Sequence, residues 1–172
     1  MNDREYLMKA LNEAKKAYKK EEVPIGAIIV KDDKIIARAH NLRENKNSSL
    51  AHAEILCIEK ACKKLNSWRL DGCVMYVTLE PCAMCAGAIN QSRISKIFFG
   101  ARDHKNGCIG SVCNILDENL TVKVKYEYLE ETQCSSILSD FFRMLRKNKK
   151  NKDLKTWGII TIEIFIKDEK SS

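Results

Sequence analysis

The chain has 172 residues, 30 Lys and Arg against 23 Asp and Glu, and a formal net charge of +7. That length suits one domain with a sizeable core, and 45% hydrophobic against 31% charged residues is the ordinary balance of a globular protein. No apolar run approaches a membrane span, since the longest, Gly158 to Ile166, is short and carries Glu163. The N-terminus Met1-Asn2-Asp3-Arg4-Glu5 shows no secretory pattern, so the expected compartment is the cytoplasm. There the eight cysteines should be reduced thiols, available for metal or for the core, and not a disulfide framework. The basic balance is compatible with a polyanionic partner and does not by itself name one.

In chain order, Leu7, Ala10, Leu11, Ala14, Ala17 and Tyr18 recur at helical spacing from Asp3 to about Glu21, and Pro24 ends that helix. Ile25 to Val30 and Ile35 to His40, joined by Lys31-Asp32-Asp33-Lys34, read as a hairpin. A polar stretch, Asn41 to Leu50, delivers the chain to His52. Ile55, Ile58, Cys62 and Leu65 then mark one face of a second helix. Cys73 to Leu79 is a nearly continuous apolar strand, buried on both faces. A helix from Cys82 to about Ser92 follows, with Pro81 at its first turn, and then a strand over Lys96 to Ala101. Val122 to Leu129 alternates as a strand, and Ile137, Leu138, Phe141, Phe142 and Leu145 mark a last amphipathic helix to about Lys147. Helices alternating with strands predict a three-layer α/β/α domain with a mixed sheet.

Two fragments carry chemistry: His52-Ala53-Glu54 and Pro81-Cys82-Ala83-Met84-Cys85. One imidazole and two thiols are one ligand short of a closed tetrahedral zinc site. The open fourth position is what a catalytic zinc keeps for water, and the carboxylate of Glu54 beside it could shuttle protons. Cys82 and Cys85, three apart at a helix start, share a face, and the helix N-terminus favours the thiolate that binds metal. Either fragment alone occurs by chance; their pairing, each opening a helix, points to function. Cys57, Cys62 and Cys73 read as small core residues, while His104, Cys108 and Cys113 match no common metal spacing.

H-x-E followed by P-C-x-x-C is the signature of the zinc-dependent cytidine/deoxycytidylate deaminase superfamily, which these residues resemble. Further segments are similar to the bacterial tRNA-specific adenosine deaminases: Glu22 to Ala27, Ala51 to Ile55, Tyr76 to Ala88, Phe99 to Asp103 and Ser139 to Arg143, in order over about residues 3 to 148. The resemblance implies a cytidine-deaminase-like domain with a five-stranded mixed sheet over 1–148. It also implies one zinc ion per subunit on His52, Cys82 and Cys85, Glu54 as proton shuttle, and a homodimer with no further protein partner. The implied reaction turns adenosine into inosine at the wobble position of a tRNA anticodon, tRNA-Arg being expected. Asn41 and Ala53 would meet the target base. Arg102, Asp103 and Lys105 would meet the anticodon stem-loop, and so would Phe141, Phe142 and Arg143. Phe141 and Phe142 could instead be core, and Arg102 to Lys105 a solvated turn.

Residues 149–172 depart from that pattern. After the basic run Arg143, Arg146, Lys147, Lys149, Lys150, Lys152 and Lys155, the stretch Thr156 to Ile166 reads as a β-rich extension that could add an edge strand, cover an apolar patch or stay disordered. Two rival readings remain open here. One is a deaminase of a free base or nucleotide such as guanine, cytosine or dCMP, with the same zinc ligands. The other is a structural zinc module completed by a fourth ligand such as Cys57 or Cys108, with no use for Glu54.

Overall fold

The structure is a computed structural model that describes residues 1–117, 120 and 122–169, with 151–169 as backbone alone. Helix α1 (Asp3–Lys19) begins at a reciprocal cap: Asn2 accepts from the Glu5 amide and Glu5 reaches back to the Asn2 amide. Strands β1 (Gly26–Lys31) and β2 (Lys34–His40) form the expected hairpin. Asp32 and Asp33 turn it with positive φ of 48° and 57°, the backbone that a two-residue hairpin loop requires. Helix α2 (Ala53–Leu65) ends on a left-handed Asn66. Then come β3 (Val74–Val77), α3 (Ala83–Gln91), β4 (Lys96–Phe99), a single 3-10 turn (Ile115–Asp117), β5 (Lys125–Tyr128) and α4 (Thr132–Glu169).

The five strands lie in the order β2-β1-β3-β4-β5. β1 runs antiparallel to both β2 and β3, and β3, β4 and β5 are mutually parallel, so the sheet is mixed as expected. Successive residues of β1 serve opposite faces, which follows from the two-residue period of a strand. Ala27 and Ile29 join Met75, Val77, Ile97 and Phe99 under α2 and α3. Ile28 and Val30 join Tyr76 and Phe98 under α1, with Cys134 from the first turn of α4. Two helical layers therefore sandwich the sheet.

Gly26 lets α1 press against the sheet: a Cβ there would lie 2.1 Å from the Ala10 carbonyl oxygen. The central strand β3 sends its chain directly into α3, while α2 leads back to the start of β3. The N-termini of α2 and α3 therefore meet beyond the C-terminal end of β3, which is where parallel-sheet domains place their sites.

The chain divides into two compact units, the first Met1–Leu138 and the second beginning at Ser139. In the second, α4 runs unbroken through Glu169, so the β-rich stretch 156–166 continues a helix and adds no edge strand. Once a helix is running, each further residue adds a backbone bond without a new nucleus. The β-branched residues of that stretch weaken helix by only about 0.7 kcal/mol each at most.

Candidate metal centre

His52 and Cys82 occupy the N-cap positions of α2 and α3, and neither side chain caps its own helix. A Ser, Thr, Asp or Asn at such a position would normally turn back on the helix amides. Here both side chains stay free and face one another across the gap between helices. Cys85, one turn into α3 and fully buried, completes the group. The Sγ atoms of Cys82 and Cys85 lie 3.8 and 3.6 Å from His52 Nδ1, and all three donor atoms fall within 4.8 Å of one another.

These spacings fit a tetrahedral ion. Zinc–sulfur bonds of about 2.3 Å and zinc–nitrogen bonds of about 2.0–2.1 Å put tetrahedral donors roughly 3.5–3.8 Å apart. Among the described residues this is the one group of three or more His, Cys, Asp or Glu donors that could hold a metal. His104, Cys108 and Cys113 do not form a second one, and among the described residues no fourth protein donor joins the first. Cys57, a suggested fourth ligand, instead points its thiol at the Ala27 carbonyl at 3.6 Å inside the core.

The electrostatics suit a cation. Hydrogen bonding from the Cys85 thiol and from His52 holds Cys82 down at about 4, so Cys82 is the thiolate of the pair. Cys82 in turn pushes Cys85 up, helped by burial, and raises His52. A coordinated cation deprotonates both thiols and overrides that internal sharing. Glu54, only 4% exposed, sits in the first turn of α2 and is pushed up chiefly by burial. Ala53 beside it is completely buried.

Asn41 is buried at the base of the loop preceding α2. The Leu42 amide donates to the Ala51 carbonyl at 3.0 Å, which closes the loop and sets Asn41 and His52 on either side of its base. The Asn41 side-chain amide donates to the Val23 carbonyl at 3.3 Å and to Glu22 at 3.5 Å. On the loop after β4, Arg102 is exposed and lays its guanidinium over the Tyr128 ring, 4.7 Å from the centroid. Asp103 closes the next turn by accepting from the Lys105 and Asn106 amides at 3.0 and 3.1 Å; Lys105 itself is exposed. In the second unit, Phe141 is buried and Phe142 is 43% exposed, their rings edge to face at 5.6 Å. Arg143 pairs with Asp140 at 3.2 Å. Of the candidate residues, then, His52, Ala53, Glu54, Cys82 and Cys85 come together at the starts of α2 and α3, and the rest stand on separate loops or in the second unit.

Two buried carboxylates, Glu22 and Glu80, were given no role by the sequence reasoning. Glu80 stands between Leu79 and Pro81, but Glu22 follows the charged Lys20-Glu21, so no residue pattern set the pair apart.

A three-layer mixed sheet with a His-Cys-Cys cluster and a buried glutamate at two converging helix N-termini defines a deaminase-type domain. The MafB19-like deaminase family matches residues 1–146. The tRNA-specific adenosine deaminase of Bacillus subtilis (strain 168) is 55% identical over 151 residues, spanning 86% of this chain and 93% of that protein. A structure solved in biochemical and structural studies of A-to-I editing by tRNA:A34 deaminases superposes with TM-score 0.75 at 40% identity, covering 78% of this chain and 99% of that one. A guanine deaminase structure from Bacillus subtilis, also 40% identical, superposes with TM-score 0.57 over 59% of this chain and 66% of that one. The chain belongs to the MafB19-like deaminase family, among the tRNA-specific adenosine deaminases.

Proposed function

We propose that the chain hydrolyses adenosine to inosine, releasing ammonia, at the wobble position of a tRNA anticodon. The single observation that carries the reaction is the group of three donors with one buried carboxylate and no fourth protein ligand among the described residues. The substrate rests on the likeness to tRNA-specific adenosine deaminases across 86% of the chain.

His52 Nδ1 and the sulfurs of Cys82 and Cys85 would hold zinc. Bound there, zinc supplies Lewis acidity toward water, which lets water act as a nucleophile near neutral pH. Glu54 is the proton carrier. Its carboxylate takes a proton from the attacking water, delivers it to N1 of the adenine ring, and serves the departing amine in the same way. Burial on all sides keeps that proton from leaking to solvent. Asn41 and Ala53 receive the base, and Arg102, Asp103, Lys105, Phe142 and Arg143 face the RNA. Phe141, being buried, supports that helix. Asp103 and Arg143 have local partners already, so their contribution to RNA is partly to shape the surface.

The deaminase domain is residues 1–148, in keeping with the family match over 1–146, and 149–172 is an appended basic segment. The described residues contain no helix long and apolar enough to cross a membrane, and a tRNA substrate places the enzyme in the cytoplasm. A homodimer is the expected assembly.

One specific finding favours a second reading, deamination of free guanine: the 40% identity to a guanine deaminase over 59% of the chain. Turnover of an anticodon stem-loop bearing A at the wobble position, measured against free guanine and cytidine, tests the two. The tRNA reading predicts inosine in the stem-loop and no appreciable turnover of either small molecule. Rapid loss of guanine with an untouched stem-loop would overturn it.

A further inference from the structure

Glu22 and Glu80 are buried, at 0% and 2% exposure, and among the described residues neither forms an ion pair. A buried carboxylate without a cation is costly unless hydrogen bonds satisfy it. In both cases the donors come from a loop distant in sequence. Glu22 accepts from the Asn45 backbone amide at 2.6 Å, the Asn45 side chain at 2.8 Å, the Glu44 amide at 3.2 Å and the Asn41 side chain at 3.5 Å. Glu80 accepts from the amides of Ser111 at 2.9 Å, Ile109 at 3.1 Å and Asp103 at 3.2 Å, and from the Ser111 hydroxyl. Gly107 packs so tightly on this carboxylate that a Cβ there would lie 2.5 Å from Glu80 Cδ.

The parallel between the two is specific. One carboxylate precedes Val23-Pro24, and its loop carries Asn41. The other precedes Pro81-Cys82, and its loop starts at Asp103, between Arg102 and Lys105. Charge-assisted bonds to backbone amides are about twice as strong as neutral ones and fix the backbone itself. Each loop is thus tied to the rigid frame that also holds the metal ligands.

Resting on the substrate reading above, we propose that Glu22 and Glu80 are positioning residues. Glu22 sets the Asn41–Asn45 segment for the target base, and Glu80 sets the Asp103–Ser111 loop for the flanking RNA. Glu→Gln keeps the shape but replaces one acceptor oxygen with a donor, so amides that now share the carboxylate lose their partner.

The test uses zinc-loaded full-length protein and the variants Glu22→Gln and Glu80→Gln. Zinc content, hydrogen exchange by segment and steady-state kinetics on the wobble-A stem-loop are read together. Both variants should keep their zinc. Glu22→Gln should speed exchange in 41–47 only and lower kcat about 10–100-fold with KM nearly unchanged. Glu80→Gln should speed exchange in 103–111 only and raise KM about tenfold with kcat nearly unchanged. If either variant fails to fold, Glu→Asp, which keeps the charge but shortens the reach, is read for the same split. Loosened loops with wild-type kinetics, or kcat and KM altered alike in both variants, overturns the proposal while leaving the function standing. A wild-type enzyme inactive on the stem-loop overturns the substrate reading, and this proposal with it.

Discussion

Cys85 Sγ lies 3.6 Å from His52 Nδ1, although 33 positions separate the two residues in the sequence. What joins them is the order of elements around β3. One helix runs back into the strand and the next leaves it, so both helix starts fall at the same end of the sheet. The cluster is therefore built by the frame and not by a flexible loop, and its donors are already spaced for a small tetrahedral ion.

Replacing Cys82 or Cys85 by Ala removes a first ligand. The variant should lose metal affinity by more than the 10–100-fold typical of outer partners, with zinc near zero per chain after dialysis, as read by elemental analysis. Zinc retained at one per chain would show that the cluster is not the metal site.

Glu54→Gln leaves all three donors in place. It should keep zinc and the fold and lose about 10²–10⁴-fold in kcat, the usual share of general acid–base catalysis. Loss of metal or of folding would instead support the structural-zinc reading.

Gly26→Ala tests the contact between α1 and β1. The added Cβ meets the Ala10 oxygen at 2.1 Å and the Ala14 amide nitrogen at 2.4 Å, both backbone atoms that cannot swing aside. Overpacking of this kind costs about 3 kcal/mol, or roughly 6–12 °C in Tm at this chain length. A thermal melt within a degree or two of wild type would contradict the packing described.

Stability should also decline on acidification through Glu13 and His40, whose side chains meet at 3.4 Å. Burial holds His40 below its ordinary 6.5, against the pull of Glu13. Burial acts upward on Glu13, but the hydrogen bond and charge of Lys16, with help from His40, carry it below 4.5. In both groups the unfolded chain takes up a proton first as pH falls. The His40 share is thus lost as pH drops below about 6.5, and the Glu13 share as it drops below about 4.5. His40→Gln should flatten the decline between pH 6.5 and 5 in denaturant titrations, and an unchanged slope would remove His40 from the account.

Much of this was legible in the chain itself. Helical spacing in α1 and α2, the Asp32-Asp33 turn and the two ligand fragments are local patterns, and local patterns survive into the fold. Glu22 and Glu80 were not legible, because their partners are amides some 20 to 30 positions away, and an amide donor leaves no mark on residue type. The tail misled for the opposite reason. Trp157 and the isoleucines of 159–166 have strand preferences, yet they follow a helix already running from Thr132. Arg102 was read as a residue free to meet RNA or solvent, and its stacking on Tyr128 depends on a strand pairing that no motif announces.

The central claim is that this metal centre edits wobble adenosine in tRNA. Its most direct test is to incubate the purified, zinc-loaded protein with a tRNA pool lacking inosine and sequence the anticodons. The account predicts A-to-G reads at the wobble position of tRNA-Arg, abolished by Glu54→Gln. An unchanged wobble adenosine, under conditions where the same preparation deaminates free guanine, would contradict it.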